Sequence, residues 1–371
     1  MPHDSNQEGS DYDADFETYE TILRVIHIPT FWSEYQDLPI SQWREPFITV
    51  ILMILASVSC VAVSQLSFQD DVSTARITAQ KWVTAIDKWW NNQSLKHLTI
   101  ETFQVGILLL LAKTTNALKR KRAWIDSGII LRLAISAGFH WEPSECMGKI
   151  SVLDQEMRRR IWATVSEWDL AASTSRGVSP MVVSIHSDCR APLNINDAEI
   201  DKDCQHLPEP RPSSEQTDTS FPQISLQSLS LRTSLTSILN DPNAHIPWSE
   251  VLTYEERIQQ ELKALPPWTR ERNTLNAITL DLQIRQFILW LYAKDARGEP
   301  SPRTTYARLA CLNASAETID IYLKLDPANL NALNILRIDM YQCIITISLN
   351  LLEEAKRKTS SLLPAPIINT T

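Results

Sequence analysis

The chain has 371 residues, 44% of them hydrophobic, which is enough for one large core or two ordinary ones. Seven glycines in the whole length are too few for a nucleotide-binding α/β protein built on glycine-rich turns, and a formal net charge of -9 excludes a surface that attracts phosphate everywhere. Long runs of Leu, Ala and Gln predict an all-α protein: a large single helical domain with an acidic disordered N-terminus and a Pro/Ser-rich internal loop.

The opening "MPHDSNQEGSDYDADFETYE" is acidic, so it is no secretory signal and points to an intracellular protein. Residues 1–18 are expected to form a disordered tail, 19–357 the helical domain and 358–371 a C-terminal tail. Residues 47–68, "FITVILMILASVSCVAVSQLSF", carry no charge and could cross a bilayer at about 1.5 Å per residue. The polar Ser57, Ser59, Ser64 and Gln65 and the lack of a flanking Lys/Arg cluster favour a buried helix over a membrane span. A membrane-associated helical protein anchored by 47–68 is the alternative. Asp70 and Asp71 in "FQDD" resemble the magnesium-binding carboxylates of all-α terpene synthases, but Val72, Ser73 and Thr74 follow where a further acid is needed. The chain is therefore not read as an enzyme. Trp82, Trp89 and Trp90 suit a helix that packs aromatic area into a groove. The basic run Lys119, Arg120, Lys121 and Arg122 reads either as a nuclear import signal or as the solvated basic end of a helix.

Gly138 ends a helix in "AGFHWEP", where Pro143 prevents its resumption. In "EMRRRIWATVSEWDL", residues 156–170, Met157, Ile161, Val165 and Trp168 line one buried face, and Glu156 pairs with Arg160 one turn on. Arg158, Arg159 and Arg160 fan around that helix, so at least one lies near its apolar face and requires an acceptor. Asp169 is too far along the helix, so the acceptor is expected from another segment. A structural ion-pair cluster is the reading preferred to a phosphate site. Residues 203–223, rich in Pro and Ser, are expected to be a flexible excursion. Leu280, Ile284, Phe287, Ile288 and Leu291 mark one helical face, and Leu309, Leu312, Ala316, Ile319 and Leu323 mark another, both expected to be buried. Residues 330–358 read as one long helix, buried nearly all round.

The six cysteines include no C-x2-C pair, and the histidines, His27 and His140 among them, have no Cys or Glu at ligand spacing, so no metal site is expected. "LRLAISAGFHWEPS", "DQEMRRRIWATVSEWDLAASTSRGVSPMVV" and "DCRAPLNINDAEID", in that order, resemble the fungal-specific transcription factor domain, the middle homology region of zinc-cluster transcription regulators. The residues that carry the likeness are Ala134, Gly138, Phe139 and His140; Glu156, Arg158, Arg159, Arg160, Trp162 and Asp169; Gly177 and Pro180; and Pro192, Asn194, Asn196 and Asp197. Ala163, Leu170 and the Gly177-Val178-Ser179-Pro180 loop depart from the pattern. The resemblance implies a nuclear regulatory domain, without catalytic residues, that controls an attached DNA reader through protein partners of the transcription machinery or a small-molecule effector. The family's zinc belongs to six closely spaced cysteines near the N-terminus, whereas the first cysteine here is Cys60, inside an apolar run. No cofactor and no sequence-specific DNA binding are therefore expected of this chain alone.

Overall fold

Helices supply every regular element of the computed structural model, which describes residues 18–62, 70–94, 96, 98–118, 122–146, 150–271, 274–337 and 339–362. Among the described residues fourteen α-helices run in chain order, with no strand. They are α1 (Glu20–Leu23), α2 (Ile28–Asp37), α3 (Glu45–Ala62), α4 (Asp70–Asn91), α5 (Ile100–Thr115), α6 (Ala123–Ser136) and α7 (Val152–Arg176), then α8 (Ser220–Leu239), α9 (Trp248–Ala264), α10 (Trp268–Glu271), α11 (Leu275–Tyr292), α12 (Pro302–Leu323), α13 (Pro327–Leu336) and α14 (Asp339–Leu362).

Helix ends follow local chemistry. The Thr99 and Thr102 side chains cap each other's backbone at the start of α5, and the Ser151 hydroxyl accepts the Asp154 N–H at 3.0 Å at the start of α7. Gly138, at φ 74°, closes α6: its N–H reaches the Ile135 carbonyl while the Phe139 N–H reaches that of Ala134. Gly177, at φ 72°, repeats this double turn after α7, with bonds to Thr174 and from Val178 to Ser173. Only glycine holds such left-handed positions without strain.

The first core surrounds α5, whose Phe103, Val105 and Ile107 to Ala112 are all buried and which packs on α3, α4, α6 and α7. The Trp90 ring of α4 lies directly over Gly106, so close that a Cβ there would stand 2.7 Å from it. Within the apolar 47–68 run, Val50, Ile51, Met53, Ile54 and Ala56 are core residues of α3. Among the described residues no helix is long and apolar enough to cross a membrane, and residues 63–69 lie outside them. The side chains of Asp70 and Asp71 also lie outside the described part. A second core joins α8, α9, α11 and α12 through Leu235, Ile258, Phe287 and Cys311. Helix α11 serves both, since Ile278 and Leu282 belong to the first core and Leu280 and Ile284 to the second.

Three sequence expectations are corrected. On α12 the buried face is Ala307, Cys311, Ala314, Thr318 and Tyr322, while Leu309 is 56% and Leu323 78% exposed. Small residues let α12 approach α11 and α14 closely, which larger leucines would prevent. Residues 330–358 are not one helix: the chain breaks after Leu336 and restarts at Asp339. There the buried Asp339 carboxylate takes the Arg337 guanidinium at 2.5 and 3.0 Å and sits in the first turn of α14, where an anion is favoured. Nor is α14 buried all round, because only its Cys343 side packs inward. Finally, α8 begins at Ser220, inside the range assigned to an excursion, with Phe221 and Pro222 buried in its first turn. Of the tails expected at 1–18 and 358–371, residues 1–17 and 363–371 lie outside the described residues, and α14 continues through 358–362, past the boundary expected at 357.

Candidate functional site

The three arginines of α7 point to three different segments of the chain. Arg158 donates to the Ala137 carbonyl at 2.9 Å and places its guanidinium 4.3 Å from the centre of the Phe139 ring, so it braces the turn that Gly138 makes. Arg159 is buried and pairs with Glu142, from the Glu142-Pro143 turn; the same carboxylate accepts from the Ser144 hydroxyl at 2.7 Å and the Arg190 N–H at 3.0 Å. Arg160, fully buried, donates to Glu156 at 3.2 Å and to Asp197 at 2.7 Å. Glu156 in turn accepts the Leu193 N–H at 3.2 Å, next to the buried Pro192.

Asp197 is the junction of this network. One carboxylate oxygen holds Arg160; the other lies 2.9 Å from Arg24 and accepts the Ile28 N–H at 3.0 Å, while the Asp197 carbonyl meets His27 Nε2 at 3.0 Å. Arg24 also lies 2.9 Å from Asp218, whose carboxylate accepts the Asp197 N–H at 2.9 Å. Four stretches of chain, around residues 24, 160, 197 and 218, therefore converge on two carboxylates and two guanidinium groups. Arg24 takes a left-handed conformation, φ 50°, to reach them.

Asn194 ties down the Pro/Ser-rich segment. Its carbonyl accepts from Thr217 and Ser220, both at 2.7 Å, and its amide donates to the carbonyls of Arg211, Pro212 and Glu215 at 3.0 to 3.2 Å. Asn196 accepts the Asp218 N–H at 3.1 Å. The remaining residues of the pattern stand apart from the arginines. Asp169 accepts the Val182 N–H at 2.9 Å, fixing the short turn Met181–Ser184 that the buried Pro180 begins after Gly177. His140 and Trp162 are buried neighbours, ring centres 6.1 Å apart, and the His140 carbonyl accepts from Ser187 at 2.8 Å. Lys119, Arg120 and Lys121 lie outside the described residues; Arg122 pairs with Asp126 at 2.8 Å, which also binds the buried Lys113.

Burial and charge set the electrostatics. Burial lifts the Glu20 carboxyl to about 7 against the pull of the Ile26 N–H and Arg24. At Glu142 burial acts in the same direction, but the bonds from Arg159, Ser144 and Arg190 outweigh it and hold the carboxyl at about 2. Asp197 is likewise held low by Arg160 and Arg24 despite its burial. Burial lowers His27 and raises the Cys189 thiol to about 12, so neither is charged near neutrality.

Several of these partners carried a signal that sequence reasoning passed over. Glu142 stands in the "FHWEPS" turn, and Arg24 is the lone charge in "ILRVIHIP", where an apolar setting demands an acceptor. Glu167, inside the arginine helix, pairs with the buried Arg232 of α8 and with Ser225, linking α7 to the second core. Beside the network lies a cavity of about 350 Å³, walled by Phe31, Phe47, Val50, Ile100 and Met157, with Arg44 and Glu101 at its polar side. Among the described residues no group of three or more His, Cys, Asp or Glu could hold a metal ion. The described cysteines, Cys146, Cys189, Cys204, Cys311 and Cys343, are free thiols dispersed over the fold and do not fit a binuclear zinc cluster.

Residues 16–287 match the model of the fungal specific transcription factor domain. Similar curated proteins include transcription factor opdR of Penicillium oxalicum, 28% identical over 94% of this chain and 47% of that protein. Transcription factor lepE of Aspergillus flavus is 26% identical over 81% of this chain and 37% of its own length. The Zn(2)-C6 fungal-type transcription factor pigI of Monascus ruber is 24% identical over 80% and 38%. The chain thus spans less than half the length of these relatives. No solved structure matches it.

Proposed function

The chain belongs to the fungal-specific transcription factor domain family, and from that premise we propose that it is the regulatory domain of a nuclear transcription regulator whose DNA contact comes from another module or a partner protein. The observation that supports this most is the placement of the motif arginines. Arg158, Arg159 and Arg160 meet a carbonyl, an aromatic ring and carboxylates inside the protein, so they offer nothing to a phosphate backbone. The pattern builds a scaffold that joins segments far apart in sequence. Regulation then passes through protein partners of the transcription machinery, and the cavity beside His27 is the seat for a small-molecule effector with an apolar body and a polar end. In this reading zinc belongs to the DNA-reading module.

A tethering assay tests the proposal. Fused to a heterologous DNA-binding module in fungal cells, the chain should change output from a reporter bearing that module's site, and its purified form should select no DNA sequence at physiological salt. A fusion that leaves the reporter unchanged, or a consensus site bound by this chain alone with sub-micromolar affinity, would overturn it. Against the membrane-anchored alternative, the described part of the 47–68 run packs in the first core.

A further inference from the structure

Helix α14 buries the side that carries Cys343 and leaves a long apolar face in solvent. Tyr341, Ile344, Ile345, Leu351 and Leu352 are between 51 and 64% exposed, with the exposed Ser348 in their midst. No charged residue interrupts them between Asp339 and Glu353. An apolar stripe of this length facing water marks an interaction surface.

Its spacing identifies the partner. Positions 341, 345, 348, 352 and 355 advance by four, three, four and three, the seam along which one helix pairs with another of the same repeat. Ile344 and Leu351 flank that seam. The whole set reads the same from either end about Ser348: Tyr341 corresponds to Ala355, Ile344 to Leu352, Ile345 to Leu351, and Ser348 to itself. A pattern that is its own reversal fits a second copy running antiparallel, because a two-fold contact sets one patch against the same patch. The small Ser348 on the axis permits close approach, and the bulky Tyr341 is set against the small Ala355. Charge selects the same direction. A parallel pair would lay Glu353 and Glu354 beside their own copies, whereas an antiparallel pair keeps these like charges apart.

We infer that α14 pairs antiparallel with α14 of a second copy of this chain, about a two-fold axis at Ser348. The inference stands apart from the regulatory reading, since neither requires the other. Sedimentation of the 371-residue chain over roughly 1 to 100 µM should show a concentration-dependent dimer. Ser348→Glu sets two carboxylates face to face on the axis and should raise the dimer Kd about 100-fold, with an unchanged melting profile at monomer concentrations because the side chain is exposed. Under an added oxidant, and above the background of the parent protein's own thiols, Ser348→Cys should cross-link to its copy. Ile344→Cys alone should not, whereas Ile344→Cys mixed with Leu352→Cys should. A monomer throughout, a dimer indifferent to both Ser348→Glu and Leu352→Glu, or self-linking of Ile344→Cys as fast as Ser348→Cys would overturn the inference.

Discussion

Arg160 has no exposed surface, and its removal takes the nearest guanidinium from two buried carboxylates, leaving Asp197 to Arg24 and Glu156 to Arg159 at 3.6 Å. Arg160→Ala should therefore lower stability by about 3 to 5 kcal/mol, whereas Arg122→Ala, at a half-exposed pair, should change it by less than about 1 kcal/mol; urea titration of both variants checks the contrast. Equal effects would mean that the buried network contributes no more than a surface pair. Glu20 gives a pH test of opposite sign to the usual carboxylate. Its folded-state value of about 7 lies above the ordinary 4.5, so between these limits the folded chain keeps a proton that the unfolded chain has lost. Stability from this group is present below about 4.5 and declines as pH rises through 7, by up to about 3 kcal/mol. Glu20→Gln keeps an acceptor for the Ile26 N–H and removes the titration, so the variant should gain on the parent as pH rises from 5 to 8. The oppositely shifted His27 and His140 cancel in that difference. A constant gap across this range would show that Glu20 is not proton-linked to folding. At this scale the sequence was half legible. The need of the arginines for acceptors follows from their place on an apolar helix, but which acids answer it depends on pairs 17 and 37 residues apart, which no local period encodes.

Periodicity exposes an apolar face but not which neighbour, if any, will cover it. Helix α11 was readable because its apolar residues recur at helical spacing, and α3 because its uncharged run is continuous. On α12 the leucine stripe was the more conspicuous signal, yet the face of Ala307, Cys311 and Ala314 went inward, since close packing depends on small residues as much as on large apolar ones. The same reasoning separates two glycines. Gly138→Ala places a Cβ in a left-handed turn with its nearest neighbours at 3.8 Å, so conformation alone should cost about 1 kcal/mol. Gly106→Ala drives a Cβ into the Trp90 ring and should cost about 1 to 3 kcal/mol, with a change in tryptophan fluorescence as that ring is displaced. If Gly106→Ala leaves both the stability and the emission spectrum untouched, α4 and α5 do not meet there as described.

Two hydrophobic cores in one chain raise the question of whether they unfold as one. Helix α7 contributes Ile161, Trp162 and Val165 to the first core and binds the second through the Glu167–Arg232 pair, whose Nη1 bond measures 2.8 Å. Helix α11 goes further, because alternate parts of its surface belong to each core, from Leu275 and Ile278 on one side to Phe287 and Ile288 on the other. A helix with faces in two cores cannot lose one without exposing apolar area from the other, so the cores should share a single cooperative transition. Phe287→Ala tests this because Phe287 lies wholly in the second core and is 1% exposed. Its truncation should cost about 3 to 5 kcal/mol, and native-state hydrogen exchange should show that loss at the amides of α5 as much as at those of α9. If α9 loses protection while α5 keeps it, the two cores are independent units, and a signal received at one could not be transmitted to the other by coupled folding through α11.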